Sequence, residues 1–486
     1  MMYNHDYKVV KYIFTALSNL PCQQLFTYYE RSGDTIFMNS RKKIDMTNGP
    51  IMRLVILFAL PICLGNVLQQ LYSTVDTLVI GNYCSPASLA AVGTSSQPVE
   101  LLLCVFLGLG TGVSILVSQC SGRGDITQLK KVISTASFFL YVCGIPLSFL
   151  GILISPFVLR FMQVPADAWD YAIAYINIIF LGTLGNMGYN MNAGILRGLG
   201  DSRASLLFLI ISCVVNIVLD IVLVAIFRLD VSGAAIATAC AMYSSWLCSI
   251  LYIRKKYPEL EYRLIPGRPD KKVLLDIVKV GLPLGLNNSL YSFGHIMMQS
   301  LVNAQGTIFI AGCSVAGKIT GIANVAITSF SSAATTFAGQ NLGAAKYDRL
   351  VLGAKRIPFY SGLITCIAGV TLTFFCKPLL SLFNKDPAVL EIAARYVRVV
   401  LPFTWTYAVF NGIISFANGL GEVRYPTIIN ILMLWAVRIP VGYFINYFID
   451  GGYIMACFPI SFAFGMFCML AFFFTKKWKF IKSKAV

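Results

Sequence analysis

The chain has 486 residues, 57% of them hydrophobic and only 12% charged, against about a quarter charged in ordinary soluble domains. With a mean hydropathy of +0.73, that excludes a soluble globule and makes the membrane span the unit of organisation. The net charge of +17 would suit a nucleic-acid partner in a soluble protein, but in a membrane protein it is expected to mark the cytoplasmic loops, so no nucleic-acid partner is expected.

The 14 cysteines sit mostly in apolar runs without a C-x-x-C pair and read as small hydrophobes. Two histidines, His5 and His295, are too few for a histidine metal site.

In chain order, residues 1–49 form an N-terminal cytoplasmic segment. Its first 37 residues lack any span or period, and they are expected to be disordered or not native, with translation starting at Met38. Twelve apolar runs follow, each long enough to cross a hydrocarbon core of about 30 Å: 51–80, 92–119, 132–154, 170–196, 204–227, 231–253, 273–303, 308–338, 357–376, 390–417, 425–448 and 452–475. All are expected to be helical, because a lipid-facing backbone must satisfy its own hydrogen bonds.

The first six runs make an N-lobe (50–253) and the last six a C-lobe (273–475), joined by a basic linker (254–272) and followed by a basic tail (476–486). With both termini inside, the inner segments from Met38 onward carry 26 Lys and Arg and the outer ones at most 6. That imbalance orients a multi-pass protein of the cell membrane.

The chain repeats itself. Leu60-Pro61 and Leu282-Pro283 open similar helices at an offset of 222. Gly198-Leu199-Gly200-Asp201-Ser202-Arg203 matches Gly419-Leu420-Gly421-Glu422-Val423-Arg424 at 221, as Gln119 and Gly122 match Gln340 and Gly343. Six helices is an even number, so both halves enter the membrane in the same direction. The fold class is therefore all-α, with two six-helix lobes related by a pseudo-twofold axis along the membrane normal, the plan of a carrier whose lobes rock about a central cleft.

Carboxylates inside a bilayer are expensive and functional by default, and Asp76 and Asp220 are the two clear cases. Asn66, Gln69 or Gln70, Ser73 and Asp76 recur at steps of three or four along one face of the first helix, with Tyr72 one turn before Asp76. Asn216 precedes Asp220 by one turn on the fifth helix, and Thr238 follows on the sixth. Asp76, Asp220 and Thr238 all fall roughly 7 to 11 Å below the outer boundary at 1.5 Å per residue.

Two carboxylates with an amide and a hydroxyl make an oxygen-only set suited to a proton or a hard cation such as Na+. The pair can share one proton and titrate as a unit. By the repeat, Asp76 corresponds to Met298 and Asp220 to Val441, so ion coupling is expected in the first lobe alone. Lys318 and Arg438 in the second lobe are candidates for structural pairing or pathway roles, and His295 is expected to be hydrogen-bonded in the interior. Gly108-x-Gly110-x-Gly112 lies in an apolar helix and reads as close helix packing. No nucleophile elbow, P-loop or dinucleotide turn is present, so neither an enzyme nor an organic cofactor is expected.

Pro61 to Asp76 with Val75-Asp76-Thr77, Gln119-x-x-Gly122, Leu196-Arg197-Gly198-x-Gly200-Asp201 and Asn216-x-x-x-Asp220 together resemble the multidrug and toxic compound extrusion (MATE) transporters, from Gly49 to the tail. The resemblance implies a V-shaped two-lobe fold. It also implies alternating-access antiport of organic cations, drugs or other amphipathic small molecules against H+ or Na+. Asp76, Asn216, Asp220 and Thr238 match the first-lobe cation site of the DNA-damage-inducible F-like branch, Tyr72 its aromatic position, and Asn190 and Asn192 its amides on the fourth helix. The chain lacks the acids that another bacterial branch carries in helices seven and ten.

Membrane lipid is the expected surround and a monomer the expected state. Two alternatives stay open. A lipid-linked oligosaccharide flippase would favour a cationic cleft, and an intramembrane enzyme would need a nucleophile and base pair.

Overall fold

The computed structural model describes residues 43–474 apart from 163 and 165; the expectations about residues 1–37, the start at Met38 and the tail fall outside the described residues. Twelve long helices follow one another: α1 (Ile51–Tyr83), α2 (Pro86–Arg123), α3 (Ile126–Phe161), α4 (Ala166–Gly198), α5 (Ser202–Ile226) and α6 (Asp230–Lys256), then α7 (Lys271–Asn303), α8 (Thr307–Gly343), α9 (Tyr347–Phe374), α10 (Pro387–Gly419), α11 (Arg424–Phe448) and α12 (Gly451–Phe474). Eleven are long and apolar enough to cross a membrane, and α2, with 38 residues, takes the remaining place in the order.

Side-chain caps set several starts. The Ser85, Asp125 and Asp201 side chains accept from Ser88, Gln128 and Ala204 amides at the heads of α2, α3 and α5, and Asp270 and Asp386 do the same for α7 and α10, each satisfying an amide with no partner inside its helix.

Most helices outrun the apolar runs that announced them. α9 begins at Tyr347, ten residues before the predicted 357. Arg349, Lys355 and Arg356 end an apolar run, but they are good helix formers. α10 is broken by a 3-10 turn at Leu401–Phe403. α5 and α11 each contain a π turn, Ile221–Ile226 and Met433–Arg438.

The repeat is visible in the packing. In the N-lobe α4 packs on α2, α3 and α6, and α6 on α5; in the C-lobe α10 packs on α8, α9 and α12, and α11 on α12. The lobes meet where α2 lies on α7 and α8, and α1 on α8. At the α2–α7 crossing Gly108 faces the Gly285 backbone and Gly112 the Gly281 backbone so closely that a Cβ on either would collide. Gly108 and Gly112 thus serve close packing between the lobes, while Gly110 faces Asn190 of α4.

At the basic end of the bundle the two repeats exchange hydrogen bonds. Gln119 of α2 donates to the Gly419 carbonyl that ends α10 (3.0 Å), and Gln340 of α8 donates to the Gly198 carbonyl that ends α4 (3.0 Å). Each glutamine satisfies a C-terminal carbonyl that its own helix leaves without a partner. Gly122 and Gly343 leave room for this exchange, since a Cβ on either would run into the carbonyl of Gln340 or Gln119. The turns that follow put Gly200 and Gly421 at φ +94° and +87°, a conformation open to glycine.

Residues 44–49 strap the same end. The Ile44 amide donates to Gly200 O (3.0 Å), the Met46 amide to Gln340 Oε1 (3.0 Å), and Arg349 Nη1 to Gly49 O (2.8 Å).

Candidate ion-coupling site

Three helices of the N-lobe bring the predicted oxygens together. α1 packs on α5 and α5 on α6, and at one level of this triangle the Asp76 and Asp220 carboxyl groups are close neighbours. Asp220 is fully buried and Asn216, one turn earlier on α5, is 1% exposed. The Asn216 Nδ2 donates to Thr238 Oγ1 of α6 at 3.4 Å. One oxygen of Asp76, both of Asp220 and Oδ1 of Asn216 are buried with no hydrogen-bond donor among the described residues.

That set is chemically incomplete. Buried polar atoms are almost always hydrogen-bonded, and two adjacent carboxylates cannot both remain charged and unpartnered in a low-dielectric interior. A proton held between them, or a hard cation taking carboxylate, amide and hydroxyl oxygens, removes the deficit. Among the described residues no group of three or more His, Cys, Asp or Glu is placed to hold a metal, which leaves softer metals without a ligand set.

Apolar and aromatic side chains flank the acid pair. One turn beyond the site, each of the three helices presents a buried apolar residue, Ile80 on α1, Val224 on α5 and Ala234 on α6, and these pack together. On the opposite side Tyr72 lies beside both carboxylates and within reach of Gln69. Tyr175 of α4, 8% exposed, neighbours Asp76, Asp220 and Tyr72. Nothing in the sequence distinguished Tyr175 among 24 tyrosines. The π turn that starts directly after Asp220 was equally invisible, although such turns concentrate at functional sites.

The remaining candidates lie elsewhere. Asn66 reaches across the lobes, its Nδ2 3.4 Å from Ser329 Oγ of α8. Gln69 and Gln70 are exposed. Asn190 donates to Asn186 of its own helix (2.6 Å). Asn192, 1% exposed, donates to Ser249 (2.8 Å) and accepts from Tyr262 OH (2.9 Å), tying the linker to α4 and α6.

In the C-lobe the counterpart of this site has the opposite charge. Met298, the repeat mate of Asp76, lines a cavity of about 480 Å³ together with Tyr291, His295 and Tyr396, and Tyr396 is the repeat mate of Tyr175 at the 221 offset. His295 is exposed on α7 rather than interior, because the cavity opens beside it. Arg438, at the end of the α11 π turn, is 1% exposed. Lys318 is exposed on α8.

The MatE family profile matches the chain twice, over residues 61–222 and 283–444. The chain belongs to the MATE family. It is therefore a membrane transporter and not an enzyme, and the two matches fall at the 222-residue offset that the Leu-Pro repeat marks. Over 82% of its length the chain is 28% identical to the probable multidrug resistance protein YpnP of Bacillus subtilis, covering 89% of that protein. It is 24% identical to the multidrug export protein MepA of Staphylococcus aureus over 82% of its own length and 88% of MepA. Its fold matches a solved structure described as the outward-facing conformation of a multidrug resistance MATE family transporter with a TM-score of 0.83, covering 92% of this chain and 99% of that one at 22% identity.

Proposed function

We propose that this MATE transporter exports amphipathic, typically cationic solutes in exchange for H+ or Na+ bound at Asp76 and Asp220. The observation that carries the reading is the group of donorless buried oxygens on Asp76, Asp220 and Asn216, a site that is complete only with a cation in it. The names of relatives such as MepA support the solute class. The concentration of Lys and Arg at one end of the bundle supports a cell-membrane orientation with both termini cytoplasmic, and one chain carries both lobes, so a monomer suffices.

In this mechanism the coupling ion enters from outside and neutralises the acid pair. Neutralisation relieves the repulsion between the carboxylates and lets α1 and α5 close on each other. The solute binds better when the pair is charged, and the exchange is driven by that difference in affinity between states.

The test is efflux of an organic-cation dye from proteoliposomes under separately imposed pH and Na+ gradients. Asp76→Asn and Asp220→Asn are expected to lower gradient-driven efflux by about 5- to 150-fold, the range of typical coupling free energies. Undiminished gradient-driven efflux in both variants would overturn the proposal.

A further inference from the structure

Arg438 is 1% exposed, and the partners of its guanidinium among the described residues are hydroxyls and aromatic rings. Its Nε donates to Ser461 Oγ (3.0 Å) and its Nη1 to Tyr291 OH (3.2 Å), both hydroxyl oxygens. Its Nη2 is buried and has no acceptor among the described residues. Among the described residues no carboxylate pairs with it.

The guanidinium carbon sits 4.9 Å from the Phe458 ring, 5.1 Å from Phe462 and 5.7 Å from Tyr291. Ring faces stabilise a cation in part, but they accept no N–H bond in the guanidinium plane. A guanidinium carries five donors in a rigid fork, and leaving one side of it dry and unpaired is unfavourable.

The three aromatic neighbours of Arg438 also line the C-lobe cavity, along with Tyr407 and Asn324. Tyr407 in turn interacts with the Tyr291 hydroxyl. The cavity thus combines aromatic walls, the phenols of Tyr291, Tyr396 and Tyr407 and an amide, with the Arg438 guanidinium packed against the Tyr291, Phe458 and Phe462 rings. Carboxylate, sulfonate and phosphate oxygens fit such a fork in pairs, and aromatic walls suit a flat apolar body.

We propose that the C-lobe cavity is a binding subsite for an oxyanion carried on an aromatic amphiphile, anchored by Arg438 and presented through Tyr291. The solute range of the transporter then includes aromatic organic anions and zwitterions, whose negative group docks in the C-lobe while the N-lobe pair handles the coupling cation. The inference rests on reading the chain as a carrier of amphipathic solutes, but equilibrium binding needs no ion gradient, so its test stands apart from the test of antiport.

The full chain in nanodiscs of pure phosphatidylcholine is titrated with fluorescein, an aromatic anion, and with ethidium, an aromatic cation, by fluorescence anisotropy. Arg438→Gln is expected to weaken fluorescein binding by roughly 10- to 150-fold, the worth of charge-assisted hydrogen bonds, with ethidium binding unchanged; Arg438→Lys falls between. On the wild-type protein, benzoate displaces fluorescein and its neutral isostere benzamide does not, which tests the site without any variant.

Repeating the titration with phosphatidylglycerol in the bilayer identifies the source of the oxyanion. Displacement of fluorescein that depends on Arg438 assigns the site to a lipid headgroup, and absence of displacement assigns it to the soluble anion. Fluorescein affinity unaltered by Arg438→Gln, or benzamide competing as well as benzoate, overturns the proposal.

Discussion

The two lobes share a scaffold and differ in sign. In both, the fifth helix of the repeat carries a π turn beside a buried charged residue, Asp220 in the N-lobe and Arg438 in the C-lobe, and a tyrosine from the fourth helix stands nearby, Tyr175 or Tyr396. The N-lobe adds a second acid, Asp76, where the C-lobe has Met298. Matching places in the repeat thus carry opposite charges, the acid pair Asp76 and Asp220 in the N-lobe and the guanidinium of Arg438 in the C-lobe. Under the proposed antiport the acid pair of the N-lobe is the coupling site, and the C-lobe then responds through its contacts with the N-lobe.

The sharpest way to break this comparison is to place the same amide at mirror positions. Asp220→Asn removes a carboxylate from an incomplete oxygen set and is expected to abolish most gradient-driven efflux, about 5- to 150-fold by the coupling range. Val441→Asn, its repeat mate, is expected to stay within twofold in the same proteoliposome assay, allowing about one factor of two for packing changes in the C-lobe. A comparable loss in Val441→Asn would mean that the C-lobe carries coupling chemistry of its own.

A smaller effect is expected where the lobes touch. Gln340 is 3% exposed and both accepts from the Met46 amide and donates to Gly198 O. Gln119 is less buried and makes a single such bond, to Gly419 O. Each bond contributes about 0.5–1.5 kcal/mol and an abandoned buried group costs about 1–3 kcal/mol. Gln340→Ala should therefore open the basic end more than Gln119→Ala, by roughly tenfold in population for each 1.4 kcal/mol between them. Spin-label distances between the basic ends of α2 and α8 report that population, and an equal response to the two substitutions would refute the ranking.

How much of this was legible in the sequence follows from how rare each signal is in a greasy chain. Charges within apolar runs are scarce, so Asp76, Asp220, Asn216 and Thr238 stood out, and the helical period placed them at one depth. The repeat was legible because Leu-Pro, Gln-x-x-Gly and Gly-Leu-Gly recur at one offset, although the hydrogen bonds of Gln119 and Gln340 required the lobes to be packed. Asn192 carried the same amide signal as Asn216 and lies against the linker, because a residue type on a helix does not say which neighbour the helix turns toward. Tyr175 and the apolar cluster of Ile80, Val224 and Ala234 were hidden by abundance, since aromatic and aliphatic residues fill every span. Helix ends at the basic face were missed for a physical reason: hydropathy reports where lipid stops, and α9 continues beyond it.

The least effect is expected at the ends of the bundle, where the lobes again differ. The N-lobe turn carries its own acid: Asp201, 6% exposed, caps α5 and accepts from Tyr252 OH (2.9 Å), Lys256 Nζ (2.8 Å) and Tyr257 OH (3.0 Å). Its C-lobe mate, Glu422, is exposed, and the strap supplies an acid from outside the repeat. Burial tends to raise the Asp45 carboxyl, but hydrogen bonds from the Thr47 hydroxyl and amide and from Asn48, with the Lys346 ammonium nearby, outweigh it and hold Asp45 below the usual carboxylate value. A carboxyl depressed in the folded state adds stability that is fully present above its unfolded value of about 3.9 and is lost as pH falls through the folded value. Thermal melts from pH 7 down to pH 3 should therefore show wild type above Asp45→Asn at neutral pH and the two converging at the acid end. The gap should not exceed about 2 °C, because solvent screening keeps an exposed carboxylate's contribution below about 1 kcal/mol. A gap that stays constant with pH would show that Asp45 acts through its shape and not through its charge, and the strap's hold would then rest on its backbone bonds at Ile44, Met46, Thr47 and Gly49.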